Sequence, residues 1–304
     1  MKKFLKLLIL FFVPIIIGMI SFEFLLRNIP NDYTYKRNYL DKNAKEIEVL
    51  YLGNSHIFYG INPVFSKYKS FNCAHGSQSL NYDFAILNKY KNQWKKLKFI
   101  IVPVDYTSMY MSIEYGIEKW RVKNYAIYYG LKNYELSNNF EILNGKLLKK
   151  IVRIKAFYLN NKSNITCDKL GYGTAFNSKN AKNLEETGKE AAFNHTKQIE
   201  NNVSLPKNKK ALKSIIKLAK QKNIKVIFVT CPAYKTYIDR LEPQQLKNTI
   251  DYVKFLVSKN KNTYYFDFLI DPTFETCDFF DADHLNEIGS KKFTLLMDSV
   301  IQIL

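Results

Sequence analysis

The chain has 304 residues, of which 47% are hydrophobic and 24% charged, ordinary values for a folded protein. This length provides one large or two small domains with a buried core. Aromatic residues make up 15% of the chain, which excludes disorder over most of its length. The formal net charge is +19, but the lysines are spread along the chain and no recognition motif accompanies them, so we expect no nucleic-acid partner. Anionic lipids and acidic cell-wall polymers remain compatible with this charge.

The cysteines are far apart and form no CxxC pair, so a zinc site is not expected. They are Cys73, Cys167, Cys231 and Cys277. Cys73 and Cys231 stand in apolar, strand-like contexts and are predicted to be small buried side chains. Disulfides are compatible with an oxidising compartment, but spacing alone does not establish them. The sequence also contains no glycine-rich phosphate loop, and we predict no cofactor and no metal.

The N-terminal segment sets the predicted compartment. Residues 7–26 are almost wholly apolar, with Glu23 as the single charge, and approach the ~20 residues that cross a bilayer. Lysines at positions 2, 3 and 6 favour a cytoplasmic N-terminus, which places the rest of the chain outside. A cleaved signal peptide is the alternative, but no A-x-A-like cleavage site follows. We therefore predict a single-pass anchor of the cell membrane at 1–27, followed by a polar stalk at 28–45.

Residues 46–304 alternate between strand and helix patterns. Apolar runs predict five strands, at 47–52, 69–74, 98–104, 224–230 and 263–268. Apolar residues three or four positions apart predict helices at 80–94, 212–219, 246–257 and 293–304. This order predicts an α/β fold, a three-layer sandwich with a mostly parallel five-stranded sheet. The nearly continuous apolar run at 98–104 is typical of a strand buried on both faces.

The segment from about 107 to 205 interrupts this alternation. It is rich in Tyr, Asn and Lys, and within it 147–157 is predicted to be helical. We interpret it as a long insertion, and a cap over the site, a partner surface and an idle elaboration all remain open. His195 stands in polar surroundings there and is predicted to be solvated.

The first segment with chemical potential is Gly53-Asn54-Ser55-His56. A predicted parallel strand ends at Gly53, where the chain can turn sharply, and Ser55 follows at the predicted start of a helix. Ligands of open parallel sheets bind beyond the carboxyl ends of the strands, so Ser55 stands at the expected position. Its backbone N–H is suited to stabilise an oxyanion. By itself, however, this pattern also fits a simple helix cap.

The second segment is Asp281-Ala282-Asp283-His284. A serine hydroxyl is a weak nucleophile that needs a base, usually histidine, and a carboxylate that orients that base. We predict that His284 is the base and that Asp281, three residues earlier, orients it, with Asp283 as the alternative. If so, the side chains of Ser55 and His284 should lie about 2.6–3.2 Å apart.

Together these segments resemble the SGNH, or GDSL-type, hydrolase superfamily. The first segment resembles its first block, residues 72–76 its second block, and residues 281–289 its fifth block. The resemblance covers about 45–110 and 205–304. It implies a catalytic triad of Ser55, Asp281 and His284, and an oxyanion hole formed by the backbone N–H groups of Ser55 and Gly76.

The sequence departs from this family at two places. Asn54 replaces the usual aspartate of the first block, and the third block, Gly-x-Asn-Asp, is missing after the third predicted strand, where Asp105 stands. The oxyanion hole therefore lacks its side-chain donor, a loss that costs about 10²–10³ in rate. The side chains expected to line the pocket are those of Asn54, His56, His75 and Asp105.

The same departure occurs in membrane-anchored relatives, namely the D-alanylation protein of the teichoic acid pathway and periplasmic acetyltransferases of exopolysaccharide export. The similarity to this branch implies acyl transfer or ester hydrolysis on a cell-surface polysaccharide through an acyl-Ser55 intermediate. It implies a surface glycan and an integral membrane acyl donor as partners, besides the bilayer. Two alternatives remain: an inactive SGNH-like domain that binds polymer or a membrane partner, and a tethered α/β domain of unrelated role.

Overall fold

The structure is a computed structural model that describes residues 1–197 and 199–304. The strands of its main sheet are β1 (Val49–Tyr51), β2 (Ser70–Asn72), β3 (Phe99–Pro103), β4 (Lys225–Thr230) and β5 (Thr263–Asp267). They lie in the order β2-β1-β3-β4-β5, and every neighbouring pair is parallel. The predicted α/β fold with a five-stranded parallel sheet is confirmed. Each strand falls within its predicted range, because its buried apolar run was visible in the sequence.

The helices before the insertion are α1 (Lys2–Arg27), α2 (Asp32–Asn43), α3 (Ser55–Gly60) and α4 (Leu80–Lys89). Those within it are α5 (Val122–Ile127), α6 (Leu147–Tyr158), α7 (Leu184–His195) and α8 (Leu205–Gln221), the last of which continues beyond it. The remaining helices are α9 (Lys235–Ile238), α10 (Pro243–Ser258) and α11 (Glu287–Gln302). A small antiparallel hairpin of β6 (Phe279–Asp281) and β7 (His284–Leu285) precedes α11. The sequence patterns did not reveal this hairpin, because its strands are only three and two residues long.

Helices cover both faces of the main sheet. Alternate strand residues such as Tyr51, Ile101 and Val229 pack with α3 and α11 in one buried core cluster. Their chain neighbours Leu50 and Ile100 are fully buried as well, and side chains of successive strand residues point to opposite faces. The helices α4 and α8, which pack against each other, form the other layer. The result is the predicted three-layer arrangement.

The chain divides into two compact units, one formed by 1–37 with 116–165 and the other by 38–115 with 166–304. The first unit contains α1, which among the described residues is the helix long and apolar enough to cross a membrane. The predicted insertion is shared between the two units. The segment predicted as a polar stalk, 28–45, contains α2, on which Tyr33 and Leu40 are buried.

The first unit is held together by a buried charge cluster around Glu141. This side chain is fully buried and accepts hydrogen bonds from Lys123 Nζ at 2.6 Å and from the Tyr128 hydroxyl at 2.6 Å. Arg153 Nη1 lies 3.0 Å from its other oxygen. A buried carboxylate with two cations and a hydroxyl is compensated, and the loss of any one partner would leave a costly unpaired charge.

The turn after β1 requires glycine. Gly53 has φ +122°, and a Cβ at this position would overlap the ring of Pro103 at the end of β3. The turn can therefore pass close to β3 only without a side chain.

We predict that Gly53→Ala destabilises the protein by about 1–3 kcal/mol, the cost of a strained backbone position. Gly60→Ala is the matched control, because the nearest atoms to a Cβ there, on Phe293 and Leu285, are 3.7 and 3.8 Å away. Thermal unfolding of the full chain in detergent, followed by circular dichroism, measures both. Equal losses in the two variants would contradict the role given to Gly53.

Candidate active site

The candidate nucleophile lies at the first turn of α3. Ser55 is the first residue of this helix, and the N-cap residue Asn54 accepts a hydrogen bond from the His56 N–H at 3.0 Å. The turn places Ser55 beyond the carboxyl end of β1, as the sequence predicted. Its Oγ lies 2.8 Å from His284 Nε2, within the range expected for a nucleophile and its base.

The hairpin of β6 and β7 brings the carboxylate back to the imidazole. It pairs Asp281 with His284 directly, and Asp281 Oδ1 lies 2.8 Å from His284 Nδ1. Asn286, two residues after His284, caps α11, since its side chain accepts hydrogen bonds from the N–H groups of Ile288 and Gly289. The loop is thus fixed between the hairpin and the helix, and the arrangement Asp281–His284–Ser55 has the geometry that activates a serine.

Two backbone amides, in the turns after β1 and β2, have no acceptor among the described residues. In the part of the chain that the structure describes, no hydrogen bond is formed by the N–H of Ser55 or by that of Gly76, which lies in the turn after β2. The preceding residue, His75, is buried and donates its N–H to the Gly53 carbonyl at 3.1 Å, which joins the turns after β1 and β2. Both amides are suited to an oxyanion, the role that the sequence predicts for Ser55 and that the resemblance implies for Gly76.

His56, predicted to line the pocket, is instead held inside a carboxylate network. Only 8% of its side chain is exposed, with Nδ1 2.7 Å from Asp105 Oδ2 and Nε2 3.4 Å from Asp283 Oδ2. Asp105 also accepts the Cys231 N–H at 2.9 Å and faces the Asn54 amide group at 3.4 Å. An aspartate at position 54 would oppose this carboxylate, so the amide suits the site better than the acid that the resemblance would supply.

Asp283 lies at the centre of a group of histidines that the sequence did not predict. Its carboxylate oxygens are 3.4 Å from His284 Nδ1, 3.4 Å from His56 Nε2 and 3.9 Å from His195 Nδ1. Although burial opposes its charge, His284 and His56 hold the pKa of Asp283 well below its usual value. Asp281 is the closer hydrogen-bond partner of His284, so it fits the orienting role, while Asp283 acts on several rings at once.

These carboxylates determine the charge of the imidazoles. Burial disfavours a charged His284, but Asp283 and Asp281 outweigh burial and raise its pKa to about 10. Burial likewise disfavours a charged His56, and Asp105 raises the pKa of that ring to about 9. For His195, burial prevails and lowers the pKa to about 4. At neutral pH the resting His284 is therefore protonated and donates to Ser55, and it becomes a base only after losing that proton.

The prediction that His195 is solvated is wrong. Only 23% of its side chain is exposed, and Nδ1 lies 2.9 Å from the Tyr237 hydroxyl. The reason is that α7, which ends at His195, packs against α9. This packing turns a residue of a polar segment inward, and nothing in the local sequence signals it.

A second contribution of the insertion is Phe176. Its ring stacks between Tyr59 and Phe280, with centroid distances of 3.7 and 3.9 Å, and its centroid lies 5.2 Å from that of His284. Tyr59 and Phe176 are only partly buried, so an aromatic wall borders the base. The part of the insertion that belongs to the second unit thus supplies residues to the site. The sequence had left the role of the insertion open.

The side chains of His56, Asp283 and His284 could also hold a metal ion. Among the described residues, their ligand atoms lie within 4.8 Å of one another. Imidazole and carboxylate groups are suitable zinc ligands. However, Asp105 and Asp281 already bind one nitrogen of each ring, and an ion bound to His284 would prevent it from acting as a base for Ser55.

No protein-family model and no curated protein matches the chain. Solved structures with a similar chain course include a Bacteroides thetaiotaomicron protein described as a GDSL-like lipase, with 12% identity and a TM-score of 0.40, covering 90% of this chain and 100% of that one. A Bacteroides fragilis "putative acylhydrolase" has 14% identity and a TM-score of 0.39, covering 87% of this chain and 95% of that one. At such low similarity, the chemistry of the site must be argued from this chain's own residues.

The electrostatic effect of Asp283 on His284 predicts that the pH dependence of Ser55 reactivity shifts when Asp283 is replaced. Asp283→Asn removes a negative charge beside His284, so the pKa of His284 falls and the neutral, basic ring forms at lower pH. The rate at which a phosphonate labels Ser55 should rise with pH as His284 loses its proton. We expect this rise to occur about one pH unit or more lower in the variant than in the wild type. Asp251→Asn, which neutralises an exposed carboxylate on α10, is the control and should leave the pH of this rise unchanged. An unchanged pH dependence in Asp283→Asn would refute the effect.

Proposed function

We propose that the chain is a serine-dependent acyl-transfer enzyme, an esterase or O-acyltransferase. The observation that carries the proposal is the hydrogen-bonded series Asp281–His284–Ser55, with contacts of 2.8 and 2.8 Å, at the carboxyl edge of a parallel sheet. A binding domain has no need of a nucleophile, a base and an orienting carboxylate in this order. The two free amides, at Ser55 and Gly76, support the same reaction.

The residues perform the reaction in two steps. Neutral His284 takes the Ser55 hydroxyl proton as Oγ attacks the carbonyl of an acyl ester, and the Ser55 and Gly76 amides stabilise the oxyanion. Collapse of the tetrahedral intermediate leaves an acyl-Ser55 ester, and His284 returns the proton to the departing alcohol. In the second step water or an acceptor hydroxyl, deprotonated by His284, attacks the acyl-Ser55 ester. The bond to Oγ breaks, and His284 returns the proton to Ser55. Asp281 keeps the imidazole oriented throughout.

We propose a cell-surface or exported polysaccharide as the acceptor or acyl source. The part of the Tyr59–Phe176 stack that stays exposed beside His284 can contact the apolar face of a sugar ring. The net charge of +19 favours an acidic polymer. The helix α1, if inserted with its N-terminus in the cytoplasm, puts the site outside, where an integral membrane protein could supply acyl groups.

A second candidate is a catalytically inactive domain that binds polymer or a membrane partner. The observation that favours it is Asp105, two residues after β3. This side chain is an acceptor, bound to His56, where the resemblance would provide an asparagine donor for the oxyanion. The raised pKa of His284 also leaves little neutral base at pH 7. The two candidates differ in whether Ser55 is activated as a nucleophile.

The test uses the full chain in detergent with a serine-directed phosphonate, followed by intact mass. We expect one adduct in the wild type, none in Ser55→Ala, and an adduct that forms at least about 10⁴-fold more slowly in His284→Ala. Ser214→Ala, an exposed serine on α8, is the control and should label as the wild type does. No adduct in any of the proteins between pH 7 and 10 would favour the inactive domain. An adduct that persists in Ser55→Ala would place the nucleophile elsewhere.

A further inference from the structure

We infer that the first unit makes a second contact with the bilayer, beside α1, through an apolar ledge on the segment before α6, on α6 itself and on the residue that caps its end. The ledge is the set Phe140, Leu143, Leu147, Leu148, Val152 and Leu159. The ledge contacts the outer leaflet of the membrane that α1 crosses. The inference does not depend on the proposed reaction, since none of these residues belongs to the active site.

The ledge is unusually exposed for its composition. The exposed fractions are 37% for Phe140, 50% for Leu143, 60% for Leu147, 76% for Leu148, 64% for Val152 and 74% for Leu159. Leu148 and Val152 on α6 and its C-cap residue Leu159 are separated by four and seven residues and so share one helical face, with Lys155 between the last two. Arg153, on another side of α6, binds the buried Glu141. An exposed apolar face of this kind marks an interaction surface.

Direct contacts place the ledge at the outer end of α1. The Glu23 carboxylate accepts the N–H groups of Glu141 at 3.0 Å and Ile142 at 2.8 Å, between two ledge residues. Arg27 lies over the Phe140 ring at 5.8 Å. The Tyr158 hydroxyl donates to the Leu25 carbonyl at 3.0 Å. The exposed apolar surface of α1 therefore continues directly into the ledge.

The length of α1 sets the depth of this junction. Glu23 is 20 residues beyond Lys3, which corresponds to about 30 Å of helix and matches the hydrocarbon thickness of a bilayer. When the N-terminal lysines lie at the inner interface, Glu23 lies at the outer one. The ledge beside it is then level with the boundary between headgroups and acyl chains, where apolar faces of amphipathic helices insert.

The charge around the ledge fits a lipid surface better than a protein partner. Residues 140–162 contain six basic residues and one acidic residue, the buried Glu141. The exposed lysines Lys146, Lys149 and Lys155 flank the apolar side chains. Long cationic side chains beside an apolar helix face can reach anionic headgroups while their stems stay in the apolar layer.

The experiment measures the depth of tryptophans in the full chain, reconstituted in nanodiscs that contain brominated lipids and phosphatidylglycerol. The native tryptophans, Trp94 and Trp120, are replaced by phenylalanine, and one tryptophan is introduced by Leu148→Trp or, separately, by Leu159→Trp. Phe24→Trp on α1 is the positive control. A chain that keeps Trp94, which is buried in the second unit, is the negative control. Thermal unfolding by circular dichroism confirms that each variant is folded.

We expect quenching at positions 148 and 159 comparable with that at position 24, and little quenching of Trp94. Replacement of Lys146, Lys149 and Lys155 by glutamine should weaken quenching at 148 more in discs that contain phosphatidylglycerol than in neutral discs. Fluorescence at 148 and 159 that is as insensitive to brominated lipid as that of Trp94 would overturn the inference, whether the ledge then faces water or another protein. The measurement reports nothing on Ser55, so its failure and that of the proposed function are distinguishable.

Discussion

The hydrogen bond between Ser55 Oγ and His284 Nε2 joins residues 229 positions apart in the chain, and the rest of the second unit is arranged to permit it. The parallel sheet fixes the end of β1, and Gly53 allows the turn that presents Ser55. At the other end, the hairpin of β6 and β7 and the cap of α11 fix His284. Each of these features is local, and together they bring Ser55 and His284 into hydrogen-bond contact at one edge of the sheet.

Electrostatics then decides how reactive this serine is. Three carboxylates, Asp105, Asp281 and Asp283, lie among the buried imidazoles, and their charges raise the pKa values of His56 and His284 above that of a free histidine. Because the raised pKa keeps His284 protonated at neutral pH, the proposed reaction requires the loss of that proton before the ring can act on Ser55. Because Asp283 contacts more than one ring, it couples the triad to the His56–Asp105 pair, which links the site to the ends of β3 and β4.

Much of the second unit was predictable from the sequence, because the determining signals were local. The five strands are short buried runs, and the pairing of Asp281 with His284 follows from a separation of three residues. The roles of His56, His195 and Phe176 were not predictable, because their partners are brought together only by tertiary packing. The same holds for the first unit, where the charge cluster around Glu141 and the contacts of Glu23 involve residues with no local pattern.

The most direct test of the account is to find where an acyl group is held during turnover. The full chain is mixed with an activated acyl ester at alkaline pH, quenched in acid and digested, and the modified peptide is sequenced by tandem mass spectrometry. The account predicts an acyl ester on Ser55 that accumulates in the wild type and is absent from His284→Ala. An acyl group carried by another residue, or ester turnover that proceeds unchanged in Ser55→Ala, would contradict it.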